Sequence, residues 1–429
     1  MQIVYRRSGG MDVHKKSVVV SLLLIDEQTG EERQLRRTFG TTTRALLELA
    51  AWLKQWGVEA VAMESTGVFW IPVWNVLEEE LGAGCKLMLV NARHFKQVPG
   101  RKTDQKDADW LSELLQHGLV RGSFVPPKAT RELRDLTRAR ATLAEDHTAV
   151  ANRLQKLLEE SNIKLSSVAS NTLGVSGRRI LKELAKGNRN AGELAELALR
   201  RLREKIPQLR EALEGRMSAH QQQLLNDYLK QLEFLEQQVE ELDRRIEAHL
   251  IATGQIEQVK LLDTIPGVNL VVGAVIVAEL GVDMKQFPDA DHVSSWAGMC
   301  PGNHISAGKR YSGRTNKGNV WLRRALCQAS WAAGKSKKTY LSEQYRRWKG
   351  RRGKKRGIVA LGHQILEIAY TMLKTGTAYR EWKPEERKAE ERKSGNSRGR
   401  NWQADIRRSI EHLSALGYQV TAPAATPRT

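Results

Sequence analysis

Lys102-Thr103-Asp104-Gln105-Lys106-Asp107-Ala108-Asp109 is the stretch on which the fold of this chain turns. Thr103 is a suitable helix N-cap, and Leu111, Leu114 and Leu115 follow at helical spacing. On that helix Asp104 and Asp107 lie three apart, so their carboxylates share a face with Leu111 and Leu114, while Asp109 points elsewhere. A face that is apolar in its second turn is directed toward the protein. Acids in its first turn then need a cation, a proton or a metal beside them. First-turn acids also favour the helix dipole and commonly do nothing more. Two acids upstream favour the first possibility.

Working outward, residues 11–125 alternate between strand and helix periods. Residues 17–25 are a dense β-branched and leucine run and residues 32–39 alternate weakly, which predicts two strands joined near Thr29-Gly30. Residues 41–56 carry Leu46, Leu49, Ala50 and Leu53 at helical spacing behind a threonine cap. A short buried strand (58–63), a helix (69–81), another strand (86–90) and the Asp104 helix complete the series. With a first strand running up to Asp12, the order is β-β-β-α-β-α-β-α, that of an RNase H-like mixed sheet with helices packed on it. Tyr5-Arg6-Arg7-Ser8-Gly9-Gly10 is poor in apolar residues for a central strand, which predicts a short or irregular one. In this order Asp12 stands on the first strand, Glu64 at the carboxyl end of the fourth, and Asp104 and Asp107 at the start of the last helix. The four acids would converge at one sheet edge. Their oxygens suit Mg²⁺ or Mn²⁺, and two such ions about 3.5–4 Å apart can clamp the attacking and leaving oxygens of a phosphodiester.

A chain of 429 residues exceeds one ordinary core. Four regions are expected: 1–128 as the α/β unit, 129–255 as a helical coiled-coil middle, 256–380 as a mainly helical third unit, and 381–429 as a charged, poorly ordered tail. Lys and Arg number 69 against 49 Asp and Glu, a net +20, which points to a polyanionic partner, nucleic acid before anionic membrane. Cys85, Cys300 and Cys327 form no CxxC pair and argue against a disulfide framework or a zinc knuckle. No apolar signal segment opens the chain and no stretch approaches a membrane span, so a cytoplasmic, nucleoid-associated protein with no membrane partner is expected.

The middle region is helical over 131–160 and again from about 194 to 250, with 166–189 as a loop or short-helix insert. Leu225, Tyr228, Leu232, Leu235, Val239, Leu242 and Ile246 alternate by three and four. Such a seam fits either an intramolecular hairpin or a dimerising coiled coil, and the second is the preferred expectation.

In the third unit, Thr264-Ile265-Pro266-Gly267-Val268 followed by the apolar residues 271–280 resembles a helix-hairpin-helix. There Gly267 could let backbone N–H groups approach a phosphate, although a plain Pro-Gly turn has the same letters. Small residues and cations then alternate through an apparent loop that includes Ser306, Lys309, Arg310, Arg314 and Lys317, a surface suited to a phosphate backbone. Residues 335–356 hold eleven Lys or Arg, among them Arg346, Arg347, Lys349, Arg351 and Arg352, against the single acid Glu343. Tyr340, Tyr345 and Trp348 are interleaved. Cations for phosphates with aromatics for bases suit RNA or single strands, and a solvated helix face is the alternative. An amphipathic helix over 358–373 follows.

Four pieces together carry a family resemblance: Gly10-Met11-Asp12-Val13-His14-Lys15, Met63-Glu64-Ser65-Thr66-Gly67, Lys102-Thr103-Asp104-Gln105-Lys106-Asp107-Ala108, and Ile265-Pro266-Gly267 leading to Ser306-Ala307-Gly308-Lys309. From Gly10 to Tyr379 the chain resembles the DEDD transposases of bacterial insertion sequences, the bridge-RNA-guided recombinases. That resemblance implies a RuvC-like domain in which Asp12, Glu64, Asp104 and Asp107 bind Mg²⁺ (or Mn²⁺). It also implies a catalytic serine, matched by Ser306 with Ser312 in reserve, that forms a covalent phosphoserine link to DNA. The implied partners are target and donor DNA, a structured non-coding bridge RNA, and further copies of the chain, as a dimer and as a tetramer in the synaptic complex. Two other functions fit the residues. One is a RuvC-like structure-selective nuclease in which water attacks and Ser306 is a turn residue. The other is a non-catalytic basic RNA-binding scaffold whose acids balance charge.

Overall fold

The computed structural model describes residues 3–26, 29–64, 67–91, 107–301, 304–306, 309–312 and 314–381. The tail expected after residue 381 lies outside them. The chain separates into two units at Pro127/Lys128.

The first unit runs β1 (Arg7–Val13), β2 (Ser17–Ile25), β3 (Glu32–Gly40), α1 (Thr43–Gln55), β4 (Ala60–Glu64), α2 (Trp70–Leu81), β5 (Lys86–Val90), α3 (Asp107–Gln116) and β6 (Gly122–Ser123). The six strands form one mixed sheet in the order β3-β2-β1-β4-β5-β6. β1, β2 and β3 pair antiparallel, whereas β4 lies parallel to β1 and β5 parallel to β4. Helix α1 starts where expected, because the Thr42 side chain accepts from the Ala45 N–H. Each face of the sheet has its own core. Met11, Leu22, Val61 and Met63 pack with Leu46, Leu49 and Leu53 of α1 and Val73 and Leu77 of α2. On the other face Ala60, Ala62 and Val90 pack with Leu111, Leu114 and Leu115 of α3.

β1 is neither short nor irregular, contrary to the expectation. Seven residues pair along its whole length with β2. Its small residues are there for close approach rather than apolar bulk: a Cβ on Gly10 would lie 2.1 Å from the Ala108 carbonyl oxygen and 2.5 Å from the Ser112 N. Helix α3 therefore rests directly on the strand backbone, and only glycine fits beneath it.

The second unit contains α4 (Lys128–Glu160), α5 (Leu165–Val168), α6 (Val175–Ala185), α7 (Ala191–Glu196), α8 (Ile206–Leu213), α9 (Ala219–Ala252), α10 (Ile256–Asp263), α11 (Leu270–Leu280) and α12 (Ala290–Trp296). A two-stranded ribbon, β7 (His304–Ser306) and β8 (Lys309–Ser312), precedes α13 (Val320–Lys335), α14 (Tyr340–Arg352) and α15 (Lys354–Thr375). The long helices α4 and α9 run antiparallel, joined by Ala129–His249, Arg140–Asp243 and His147–Glu236 contacts in that order. The seam expected to dimerise is filled within the chain. Leu225, Leu229, Leu232 and Leu235 pack with Val150, Leu154 and Leu157 of α4 and with Ile180, Leu181 and Leu184 of α6. Further along, Ile246 and Leu250 of α9 and Leu133 of α4 enter a second cluster with α11, α13 and α15. Because α4 and α9 cross both clusters, the expected middle and third regions form one compact unit.

An ionic centre lies beside that second cluster. Glu279, with its side chain fully buried on the otherwise apolar α11, accepts both Arg138 Nε (2.8 Å) and Nη2 (2.9 Å) and also Asn319 Nδ2 (2.6 Å). Arg134 adds a contact at 3.3 Å. A buried carboxylate requires this degree of pairing.

Candidate active site and nucleic-acid surface

Strand alternation sends every second side chain of β1 and β4 toward α3. On β1 these positions are Ser8, Gly10 and Asp12, and on β4 they are Ala60, Ala62 and Glu64. The parallel register pairs Ser8 with Ala60, Gly10 with Ala62 and Met11 with Met63, so Asp12 and Glu64 stand side by side at the carboxyl ends of neighbouring strands. Two stripes of small residues thus provide the floor for α3, and each ends in a carboxylate. The Ser8 hydroxyl donates to the Ser112 carbonyl (3.3 Å), and Gly10 underlies Ala108 and Leu111. As β1 advances, α3 therefore runs backward toward its own N-terminus. Two strand residues span about 6.6 Å, close to four helical residues, which brings Asp12 level with the helix end that carries Asp107.

Glu64 is 9% exposed and the Asp12 side chain 24%, while Asp107 is exposed in the first turn of α3. Asp104 and its expected cap Thr103 lie outside the described residues. Asp12, Glu64 and Asp107 do not close into a trio with ligand oxygens within 4.8 Å of one another. His14, which sequence analysis did not single out, contacts Asp12 (Nε2 to Oδ2, 3.1 Å). Period-two alternation continued past Asp12 is the signal that would have found it.

Asp109 does point elsewhere. It is 3% exposed and bound by Arg36, whose Nε donates to Oδ1 at 2.6 Å, with Gln34 Nε2 at 3.2 Å. The acids of the motif thus divide by position. Asp107 opens the helix at the sheet edge, and Asp109 ties the helix to β3.

In the second unit, Gly267 (φ +91°) joins α10 to α11, but its open side is turned inward. A Cβ there would meet the Ala329 carbonyl oxygen and Ala333 N of α13, both at 2.5 Å, so the glycine serves helix packing. The apparent loop around Ser306 is a ribbon: Ser306 ends β7 opposite Lys309, with Arg310 and the reserve candidate Ser312 further along β8. A bridge between Pro301 and Thr315 closes its base. Arg314 and Lys317 follow, exposed.

On α14, Arg346, Arg347, Lys349, Arg351 and Arg352 are exposed, and Lys354, Lys355 and Arg356 continue the cationic surface. The interleaved aromatics turn toward the core, Tyr345 fully and Tyr340 and Trp348 in part. Tyr345 is 7% exposed and stacks edge-on with Trp331 (6.4 Å), and Tyr340 and Trp348 pack on the core. Leu341, Tyr345 and Trp348 sit at i, i+4 and i+7, the inner face of the helix. What remains outside is a cationic surface suited to phosphates.

Family models match parts of both units. A transposase family model of the IS110 DEDD type matches residues 9–163, and the model for the IS116/IS110/IS902 transposase family matches residues 259–346. The chain belongs to the IS110 family of DEDD transposases. It is 25% identical over 328 residues to a probable family 20 transposase of Pseudomonas aeruginosa, covering 75% of this chain and 85% of that protein. It is 23% identical to the transposase for insertion sequence element IS1111A of Coxiella burnetii, covering 70% and 74%. An IS110 insertion-element protein of Streptomyces coelicolor is 26% identical, covering 69% and 78%. Membership in the IS110 family makes the chain a DNA-processing enzyme and suggests use of a divalent metal. The donor set at the α3 edge fits such an ion: adjacent carboxylates supply hard oxygen ligands, one of them held nearly out of solvent. No helix among the described residues is long and apolar enough to cross a membrane.

Proposed function

We propose that this IS110-family transposase cuts and rejoins DNA strands for its own insertion sequence, with Asp12, Glu64, Asp104 and Asp107 as the acids of an RNase H-like, RuvC-like catalytic unit. The observation that carries this proposal is the parallel register of β1 on β4 as far as Met11–Met63, which continued by one residue sets Asp12 beside Glu64 on the face covered by α3. These acids would hold Mg²⁺ or Mn²⁺, which when bound withdraws charge from the phosphoryl oxygens and promotes loss of the nucleophile's proton. Asp12 and Glu64 serve by holding their oxygens fixed on strands, and Gly10 serves by letting α3 deliver Asp107 to the same edge.

Ser306 is proposed as the nucleophile, with Ser312 as the alternative on the facing strand. Its hydroxyl oxygen forms a bond to phosphorus, the bond from phosphorus to a deoxyribose oxygen breaks, and the released deoxyribose hydroxyl gains a proton. The phosphoserine ester conserves the phosphodiester, so a new strand's hydroxyl can displace the serine without ATP. Lys309 and Arg310 adjoin Ser306 in sequence and offset charge on the phosphorane. The cations of α14 with Arg314 and Lys317 bind phosphates of target and donor DNA and of a bridge RNA that selects them. The dimers and tetramers implied by the family use surfaces other than the α9 seam. The enzyme acts in the cytoplasm, at the nucleoid.

Denaturing a cleavage reaction and mapping any DNA-linked peptide tests the chemistry. A phosphoester on Ser306, absent in Ser306→Ala, supports it. Free 5′-phosphate ends with no linked peptide in either protein would establish the water-attack nuclease in its place.

A further inference from the structure

A second group of ligand atoms lies in the other unit, among residues to which the proposed reaction gives no role. Asp291 on α12 and His363 and Glu367 on α15 each offer a ligand atom, all within 4.8 Å of one another. His363 and Glu367 stand at i and i+4 on one face of α15, with Nε2 and Oε1 3.1 Å apart. On the other side of the ring, Cys300 Sγ approaches His363 Nδ1 at 3.8 Å. The residue before the cysteine packs on α15, since Met299 Cε is 2.7 Å from where a Cβ on Gly362 would stand.

Charge gives this group its meaning. Asp291 and Glu367 face each other at close range, and among the described residues neither is ion-paired to a lysine or arginine. That is unexpected in a chain with net charge +20. Two like charges this close disfavour each other unless a cation lies between them. Imidazole nitrogen with two carboxylates is a ligand set for a first-row transition ion, zinc above all, and not for Mg²⁺, which prefers oxygen alone. Around such an ion, with bonds of about 2.0–2.2 Å, ligand atoms sit roughly 3.3–3.6 Å apart. The His363–Glu367 pair at 3.1 Å need only open slightly, and no ligand atom lies more than 4.8 Å from another, so small side-chain adjustments suffice.

We propose that Asp291, His363 and Glu367 form a zinc-class divalent site with one position open to water, and that Cys300 holds the outer imidazole nitrogen. The metal binds through Nε2, the nitrogen facing Glu367, and the thiol sulfur accepts from Nδ1–H and fixes the tautomer. Bound metal clamps α12 to α15. It thereby anchors the segment that continues from Cys300 into β7, four residues on, where Ser306 resides. The site stands independently of the catalytic role proposed for that serine.

The test uses the full chain carrying Asp12→Asn and Glu64→Gln, so that the acids of the first unit do not contribute, after dialysis against a chelator. Titration with Co²⁺ followed by Zn²⁺ competition should show one saturable site per chain, d–d absorption of low-symmetry cobalt, and no thiolate-to-cobalt charge transfer. Equimolar Mg²⁺ should not compete. His363→Ala and Glu367→Gln should each remove saturable binding, whereas Cys300→Ala should weaken it about 10–100-fold. All three side chains are partly exposed, so the metal-free variants should melt with the metal-free parent. Absence of saturable Co²⁺ or Zn²⁺ binding, or binding unchanged in the His363→Ala/Glu367→Gln double variant, would overturn the site. A charge-transfer band would overturn the role given to Cys300.

Discussion

Replacing Gly10 with alanine should separate the geometry of the α3 edge from its mere presence. The added Cβ would stand 2.1 Å from the Ala108 carbonyl oxygen, 2.5 Å from Ser112 N and 3.1 Å from a Leu111 backbone carbon, against the 3.4 Å at which ordinary contact begins. All three obstacles are backbone, so no rotamer change can relieve them. Helix α3 must retreat by about 1.3 Å, and Asp107 retreats with it. Overpacking of this kind costs about 1–3 kcal/mol or more, and a 1 Å displacement of a catalytic group costs about 10²-fold in rate. The matched control is Gly9→Ala, one residue earlier on the other face. There the nearest atom, at 2.8 Å, is Cδ2 of the Leu22 side chain, which can rotate away. Thermal melting and DNA strand cleavage should be measured on both variants. Gly9→Ala should lose some stability and keep most cleavage at a temperature where it is folded. Gly10→Ala, folded at the same temperature, should lose about 10²-fold. Equal cleavage by the two variants would refute the idea that close approach of α3 builds the site.

Further outcomes follow from other interactions. Asp109→Asn should weaken the Arg36 tie and cost about 1–3 kcal/mol, since a charge-assisted hydrogen bond is lost but Arg36 is left half in solvent, yet leave cleavage by the folded protein intact; Asp107→Asn should do the reverse, as melting and cleavage assays on both will show. Glu279→Ala should destabilise the second unit by about 3–5 kcal/mol, since Arg134 and Arg138 lose their buried partner, and chemical denaturation reads this directly. Burial alone would raise the pKa of Glu236, but hydrogen bonds from Arg178 and His147 outweigh it and hold the carboxyl below its ordinary 4.5. Its stabilising effect is therefore complete above pH 4.5 and fades as pH falls through the lowered value, so the melting difference between wild type and Glu236→Gln should vanish in acid. Neutralising Arg347, Lys349 and Arg351 together should weaken duplex binding and reduce the slope of log affinity against log salt by up to about 0.9 for each phosphate left without its cation.

The first unit was legible because its signals are local. Residues 17–25 and 86–90 form the strands that their composition announces, and Thr42 caps α1 as its hydroxyl should. Asp12 and Glu64 could be foreseen as neighbours because parallel register and period-two alternation fix where a strand's last polar residue points. β1 was misjudged because its small residues pack through backbone, and apolar counting does not register that. The α9 seam was ambiguous in principle: an apolar stripe at three-four spacing is the same whether its partner is α4 of the same chain or a second copy. Composition alone does not show the facing of the α14 aromatics: the i, i+4, i+7 spacing from Leu341 turns Tyr345 and Trp348 toward the core. Nothing local links Asp291 to His363 and Glu367, more than seventy residues away. Only packing of α12 on α15 brings them together.

Cleavage of DNA carrying the element's ends by Glu64→Gln, in Mg²⁺ and with DNA binding measured in parallel, probes the α3 edge most directly. The substitution keeps the side chain's shape and removes only its charge. If Glu64 helps hold the ion that activates the phosphodiester, cleavage should fall by at least about 10²-fold while DNA affinity is kept. Cleavage at the wild-type rate would show that the acids on β1 and β4 are not the catalytic centre.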